Sequence, residues 1–137
     1  MTHPSISLDT SCVLRLLVAQ PPQLFRTASV FLAEQHAAGV SIHVSNLVLA
    51  EAYFALQAFY QLSKSDAIDA IASFGKAGGV TITTTAREVL ALPNLASAKP
   101  GFVDRLIHGE SHAAGHTFVT FEKAAKKLPA TLVIPAS

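Results

Sequence analysis

Short runs of strand-forming residues alternate with helical patterns along the whole chain, and this alternation restricts the fold more than any other feature. Five runs have the length and composition of strands, at residues 6–8, 40–44, 80–83, 116–120 and 131–134. Apolar residues at helical spacing fill the intervals between them. Strands that alternate with helices are typical of an α/β fold with a parallel sheet. We therefore expect one central parallel sheet of about five short strands, with helices on both faces.

Helix-breaking residues mark the boundaries of these elements. Gly39 and Gly75 are expected to end two helices, because glycine readily adopts the left-handed conformation that follows a helix C-terminus. Pro93 interrupts a helix predicted over 85–98. A short helix is predicted over 122–128, just before the last strand.

Composition predicts one domain that covers residues 1–137. Half of the residues are hydrophobic and 14% are charged, so the chain can bury a full core. No apolar stretch approaches the roughly 20 residues of a membrane span, and the N-terminus has no basic and apolar signal-peptide pattern. The single cysteine, Cys12, excludes an internal disulfide and a cysteine zinc site. We expect a cytoplasmic protein with no membrane partner.

Four acidic residues stand where an α/β fold places chemistry. Asp9 directly follows the first strand and Glu122 the fourth, and parallel sheets bind ligands beyond the carboxyl ends of their strands. Glu51 has apolar neighbours three and four residues away on its helix, where a carboxylate is rare. Asp104 lies early in the helix predicted before the fourth strand.

Each of these acids also has an ordinary structural explanation. Asp9 can serve as an N-cap, and Asp104 suits the positive end of a helix dipole. Glu51 can lie solvated at the edge of an apolar stripe. Glu122 can pair with Lys126 four residues later. The joint placement of the four acids carries more information than any one of them.

The same four segments resemble the motifs of one nuclease family. LDTSCVLRLL, with Asp9, resembles the first motif of the PIN-domain nucleases, and SNLVLAEAYFAL, with Glu51, resembles the second. GFVDRLI, with Asp104, resembles the third, and HTFVTFEKAAKKL, with Glu122, resembles the fourth. The resemblance covers essentially the whole chain and implies a single PIN-like domain. The family usually has aspartate where this chain has Glu122, so the resemblance leaves open whether that residue is a direct ligand.

The resemblance implies a metal site that cleaves RNA. Carboxylate oxygens suit Mg²⁺ or Mn²⁺ rather than zinc. Asp9 and Asp104 would be the principal ligands, with Glu51 and Glu122 completing the site directly or through water. The hydroxyl groups expected to support these ligands are those of Thr10, Ser11 and Thr120. The residues expected to contact RNA are Arg15, Arg105, His108 and Lys123.

The charge balance is compatible with a polyanionic substrate. The formal net charge is +1, from ten basic and nine acidic residues. If metal neutralises the four site acids, the rest of the chain carries five acidic and ten basic residues, an excess of +5. His112 and His116 are expected to be surface residues.

The resulting prediction is a metal-dependent endoribonuclease, the toxin of a VapC-type toxin–antitoxin pair. Its expected partners are RNA, a cognate antitoxin that covers the acidic site, and a second copy of the chain. Two alternatives stay open. One is an inactive PIN module that binds RNA or protein, and the other is a phosphotransfer domain that uses Asp9 as a nucleophile.

Overall fold

The computed structural model describes residues 4–136 and shows an α/β protein. The strands are β1 (Ser5–Ser7), β2 (Ser41–Val44), β3 (Val80–Ile82), β4 (Phe118–Thr120) and β5 (Thr131–Val133). The helices are α1 (Thr10–Val18), α2 (Pro22–Ala37), α3 (Asn46–Ala58), α4 (Lys64–Lys76), α5 (Thr84–Leu90) and α6 (Phe102–Ala113). The chain forms two compact units, Met1–Thr83 and Thr84–Ser137. Whether residues 1–137 act as one domain stays a prediction.

The first unit contains a three-stranded parallel sheet in the order β1-β2-β3. Ile42, Val44 and Ile82 point to one face and are buried, whereas Ser41 and His43 on the opposite face are exposed. Successive side chains of a strand point to opposite faces, so this alternation of apolar and polar residues gives a sheet with one buried face. Helices on both faces of this sheet stay a prediction.

The core of the first unit lies between that sheet and helices α1, α3 and α4. Val13, Leu49, Leu56 and Ile71 are almost fully buried in it. Each such side chain contributes about 1.5–3 kcal/mol relative to exposure. Helix α2 contributes no buried residue.

The second unit contains α5, α6 and a separate two-stranded parallel sheet, in which Val119 of β4 is paired with Leu132 of β5. Phe102 and Leu106 of α6 are buried in its core. The predicted central sheet of about five strands is thus corrected to two sheets, of three and two strands. Periodicity identifies a strand, but pairing depends on which distant segments meet.

Several element boundaries differ from the predictions. Gly39, at φ 78°, follows α2 as expected, but α4 continues past Gly75 to Lys76. A Cβ on Gly75 would lie 2.8 Å from Cδ1 of Ile82, so this glycine allows α4 to approach β3 closely.

Two predicted helices of the second half differ from the structure in length or type. Helix α5 ends at Leu90, before Pro93, and the rest of the predicted segment contains a 3₁₀ turn at Leu95–Ser97. The helix predicted over 122–128 is a 3₁₀ turn, Lys123–Lys127. Among residues 4–136, no helix is long and apolar enough to cross a membrane.

Candidate functional site

The carboxyl edge of the three-stranded sheet carries a polar residue after each strand. Asp9 follows β1, Asn46 follows β2 and Thr83 follows β3. The strands are parallel, so their carboxyl ends lie at the same edge. Asn46 is buried there, and its side-chain oxygen accepts a 2.6 Å hydrogen bond from the Thr83 hydroxyl. This bond stabilises the edge between β2 and β3.

Asp9 is the N-cap of α1. Its Oδ1 accepts hydrogen bonds from the Ser11 hydroxyl at 2.7 Å and from the Cys12 amide at 3.0 Å. The hydrogen bond from Ser11, followed by the one from the Cys12 amide, lowers the pKa of Asp9. Asp9 is therefore an ionised, oriented and exposed carboxylate at neutral pH.

Glu51 lies on α3 and is connected to the same loop. The Thr10 hydroxyl donates a 2.9 Å hydrogen bond to Glu51 Oε1, across 41 residues of sequence. Two consecutive hydroxyl residues, Thr10 and Ser11, thus hold two separate carboxylates. Thr10 and Ser11 were predicted to support the site acids, and in the structure each hydroxyl donates a hydrogen bond to one of them. Whether these bonds support a metal site stays a prediction.

The apolar face around Glu51 is exposed to solvent. Leu47 is 71% exposed and Phe54 is 56% exposed, and they lie one turn before and after Glu51. Glu51 itself is exposed as well. The Glu51 carboxylate is thus exposed to solvent and not buried. Leu47 and Phe54, which make its helix face apolar in sequence, are exposed to solvent as well.

The Cys12 thiol lies beside Asp9 but is not an activated nucleophile. Its pKa is raised, first by desolvation and then by the hydrogen bond to Asp9 and the charge of that carboxylate. A raised pKa keeps the thiol protonated, and the thiolate is the reactive form of cysteine. Cys12 is therefore a poor candidate for a nucleophile at this edge.

The other two predicted acids lie in the second unit. Asp104 is in the first turn of α6 and is exposed. Glu122 is the N-cap of the 3₁₀ turn, where Oε1 accepts a 3.3 Å hydrogen bond from the Ala124 amide. The Glu122 amide donates to the Thr120 hydroxyl at 3.0 Å. Thr120 thus supports the backbone of Glu122, and the exposed Lys123 follows directly.

Three predicted RNA contacts have partners within the protein. Arg15 Nη1 donates to the Gln20 carbonyl at 3.2 Å, and Arg105 Nε donates to the Pro100 carbonyl at 2.7 Å. The ring of His108 is buried, with Nε2 2.8 Å from the Pro129 carbonyl. These bonds orient the three side chains, and their contact with RNA stays a prediction.

The donor set of the first unit fits a hard divalent cation. Within each unit, the described residues form no group of three or more His, Cys, Asp or Glu side chains suited to a metal. Mg²⁺, however, is commonly held by one or two carboxylates together with several waters and substrate phosphates. Asp9 and Glu51 are both exposed and are held by adjacent residues, Ser11 and Thr10, so their oxygens would suit such an ion, whereas a structural zinc site would need more protein ligands.

Sequence reasoning missed the hydrogen bond between Asn46 and Thr83. The available signal was positional, because Thr83 directly follows β3, and Asn46 lies two residues after the end of β2, as Asp9 does after β1. Polar residues near three successive strand ends predict a polar sheet edge, even though Asn46 and Thr83 are not acidic.

Comparison with known proteins gave no match: no family model fits the chain, and none was found among curated proteins or solved structures. The resemblance to PIN-domain nucleases therefore rests on the motifs of this sequence alone.

Proposed function

We propose that this protein is a metal-dependent endoribonuclease of the PIN type, with Asp9, Glu51, Asp104 and Glu122 as its functional acids. One observation carries the proposal. Asp9 and Glu51 are oriented by the neighbouring hydroxyls Ser11 and Thr10, and no lysine or arginine among residues 4–136 pairs with either carboxylate. Oriented carboxylates without a protein cation favour a bound metal cation.

The residues of this chain would prepare the site for RNA. Asp9 is ionised at neutral pH, since its pKa is lowered. Thr10 bonds Oε1 of Glu51, which orients the second carboxylate oxygen for a ligand. A bound Mg²⁺ or Mn²⁺ would supply an activated water and neutralise charge on the phosphodiester.

Two isosteric variants test the proposal. Asn caps a helix as well as Asp, so Asp9→Asn keeps α1 capped and removes only the charge. Glu51→Gln keeps an acceptor for the Thr10 hydroxyl. We expect each variant to lower Mn²⁺-dependent cleavage of single-stranded RNA by more than about 100-fold, because even residues that only support a metal ligand are worth 10–100-fold.

A matched control separates this effect from a general loss of negative charge. Asp69 is an exposed acid of α4, and Asp69→Asn should cleave as the wild type does. Cleavage that persists in a chelator, or in Asp9→Asn, would contradict the proposal.

The cleavage assay, together with measurements of RNA binding and of phosphate on Asp9, distinguishes the two alternatives. An inactive module would bind RNA without cleaving it in any metal. A phosphotransfer domain would trap phosphate on Asp9, which mass spectrometry detects after incubation with a phosphodonor. Neither alternative predicts metal-dependent cleavage that requires both Asp9 and Glu51.

The proposal extends to a toxin of the VapC type, acting in the cytoplasm with a cognate antitoxin and a second copy of itself. Exposed apolar side chains on α2 and α3, among them Phe31, Leu47 and Phe54, offer surface for protein partners. Light scattering of the chain alone and with the product of an adjacent gene tests both partners. If the chain alone is a monomer and its mass does not increase when the product of the adjacent gene is added, this part of the proposal is contradicted.

A further inference from the structure

A cleft lies entirely within the second unit. It encloses about 420 Å³ between α5, α6 and the segment that precedes β5. This volume is in the range of small-molecule sites, about 300–1,000 Å³. Its lining includes apolar residues such as Val89 and Leu128. It also includes six residues with polar side chains: Thr84, Thr85, Glu88, Arg105, His108 and His112. Neither Asp104 nor Glu122 lines it.

Two of the residues that line the cleft, His108 and His112, have stacked imidazole rings. The rings of His108 and His112 have centroids 5.8 Å apart and are inclined by 13°. The rings of Phe118 and His108 form a T-shaped pair with centroids 5.5 Å apart, and Nε2 of His108 lies 2.8 Å from the Pro129 carbonyl oxygen. His108 is therefore fixed from three directions, and the exposed His112 extends the stack at the cleft.

The cleft also presents one cation and one anion. Arg105 is oriented by the bond from its Nε to Pro100, which leaves the terminal N–H groups of its guanidinium for another acceptor. Glu88 lines the same cleft, is exposed, and forms no ion pair with Arg105 in the described structure. A carboxylate accepts two parallel hydrogen bonds, and a guanidinium donates two.

We propose that this cleft binds one unpaired guanine nucleotide. Guanine has two adjacent donors on its Watson–Crick edge, N1–H and the N2 amino group, which match the two oxygens of Glu88. The guanidinium of Arg105 matches either the O6 and N7 acceptors of the base or its phosphate. The stacked imidazole rings provide a surface on which a planar base stacks, as in the recognition of single-stranded RNA.

The balance of charge in the cleft argues against simpler ligands. Because Glu88 offsets the charge of Arg105, inorganic phosphate alone gains little attraction. Adenine offers a carboxylate one amino group, next to an acceptor that repels it. A guanine nucleotide uses the cation, the anion and the ring surface together.

The inference rests on the proposed function in one respect: if the protein is a ribonuclease, the bound guanine nucleotide would be part of its RNA substrate. Binding itself is measured without any cleavage. We expect 5′-GMP added to the full chain to shift amide resonances of α5 and α6 in NMR spectra, with an affinity at least about tenfold above that for 5′-AMP.

The variant Glu88→Gln tests the central contact. Its amide keeps only one acceptor oxygen, so we expect GMP to bind about tenfold more weakly and to lose its advantage over AMP. Glu34→Gln, an exposed acid of α2, is the matched control and should bind GMP as the wild type does. His112→Ala should weaken GMP and AMP alike, because stacking does not depend on the base edge.

Three outcomes would overturn the inference: equal affinity for GMP and AMP, GMP binding unchanged in Glu88→Gln, or displacement of GMP by inorganic phosphate or a zwitterionic amino acid. The proposed nuclease function is judged separately. The Asp9→Asn variant should still bind GMP, because Asp9 is not among the residues that line the cleft. If the wild type binds GMP but does not cleave RNA, only the nuclease proposal is contradicted. If the wild type cleaves RNA but does not bind GMP, only the guanine site is contradicted.

Discussion

Two hydroxyl side chains, Thr10 and Ser11, determine how the acids of the first unit are presented. Ser11 donates to the carboxylate two residues earlier, and Thr10 donates to one that lies 41 residues later. The first bond follows from an N-cap sequence, because Asp9 precedes a helix. The second depends on where α3 packs, so local sequence contains no sign of it.

Removal of the Ser11 hydroxyl should raise the pKa of Asp9. The hydrogen bond from Ser11 is the largest cause of the lowered pKa, so Ser11→Ala should move it back toward the ordinary value, measured by NMR titration of the carboxyl carbon. A lowered folded-state pKa adds stability above the unfolded pKa, about 3.9, and this is lost as pH falls through the folded pKa. Ser11→Ala should therefore show a weaker loss of stability in that acid range.

Ser65→Ala supplies the control for the titration, because Ser65 is an exposed serine of α4. Its Asp9 titration should match that of the wild type. An unchanged Asp9 pKa in Ser11→Ala would show that the hydroxyl does not stabilise the charged form.

Substitutions at Glu122 separate its cap role from a catalytic one. Asp is an efficient N-cap, so Glu122→Asp should keep the 3₁₀ turn and preserve or raise Mn²⁺-dependent cleavage. Glu122→Ala loses both the cap and the charge and should lower cleavage. Glu122→Ser, which caps without charge, should melt like the wild type and cleave like Glu122→Ala. Equal cleavage by the wild type and these three variants would show that Glu122 is not needed for cleavage.

Among the elements, α5 and α6 show how closely two helices can approach at a glycine. A Cβ added to Gly109 of α6 would clash with Cγ2 of Thr85 on α5. The sequence predicted both helices but not this contact, since a glycine inside a helix is usually only a local cost. The contact also borders the cleft proposed to bind guanine.

Gly109→Ala should therefore destabilise the second unit. Overpacking costs about 1–3 kcal/mol, whereas alanine gains up to about 1 kcal/mol of helix propensity, so we expect a net loss of about 1 kcal/mol in the free energy of unfolding by denaturant. The double variant Gly109→Ala/Thr85→Ser lacks the clashing methyl group and should recover that loss. Gly78→Ala, where no atom lies within 4 Å of the added Cβ, should stay within about 0.5 kcal/mol of the wild type. If Thr85→Ser does not restore the free energy of unfolding of Gly109→Ala, the loss has another cause than the contact with Thr85.

At the scale of the whole molecule, metal binding should be coupled to folding. A cation that binds only the native state at ten times its Kd adds about 1.4 kcal/mol to the free energy of unfolding. Mg²⁺ or Mn²⁺ should accordingly raise the melting temperature of the wild type above that in NaCl of equal ionic strength. The double variant Asp9→Asn/Glu51→Gln should lose most of this increase, and an equal increase in that variant would place the metal elsewhere.

The sequence by itself determined the α/β class, the parallel direction of the strands and the position of Asp9 at a strand end. These features depend on local periodicity and on capping residues, which each segment carries within itself. Only the tertiary structure decided that the strands form two sheets, that Thr10 reaches Glu51, and that Glu88 and Arg105 share a cleft. Each of these results joins residues far apart in the chain, and their pairing depends on how whole helices and strands pack rather than on local pattern.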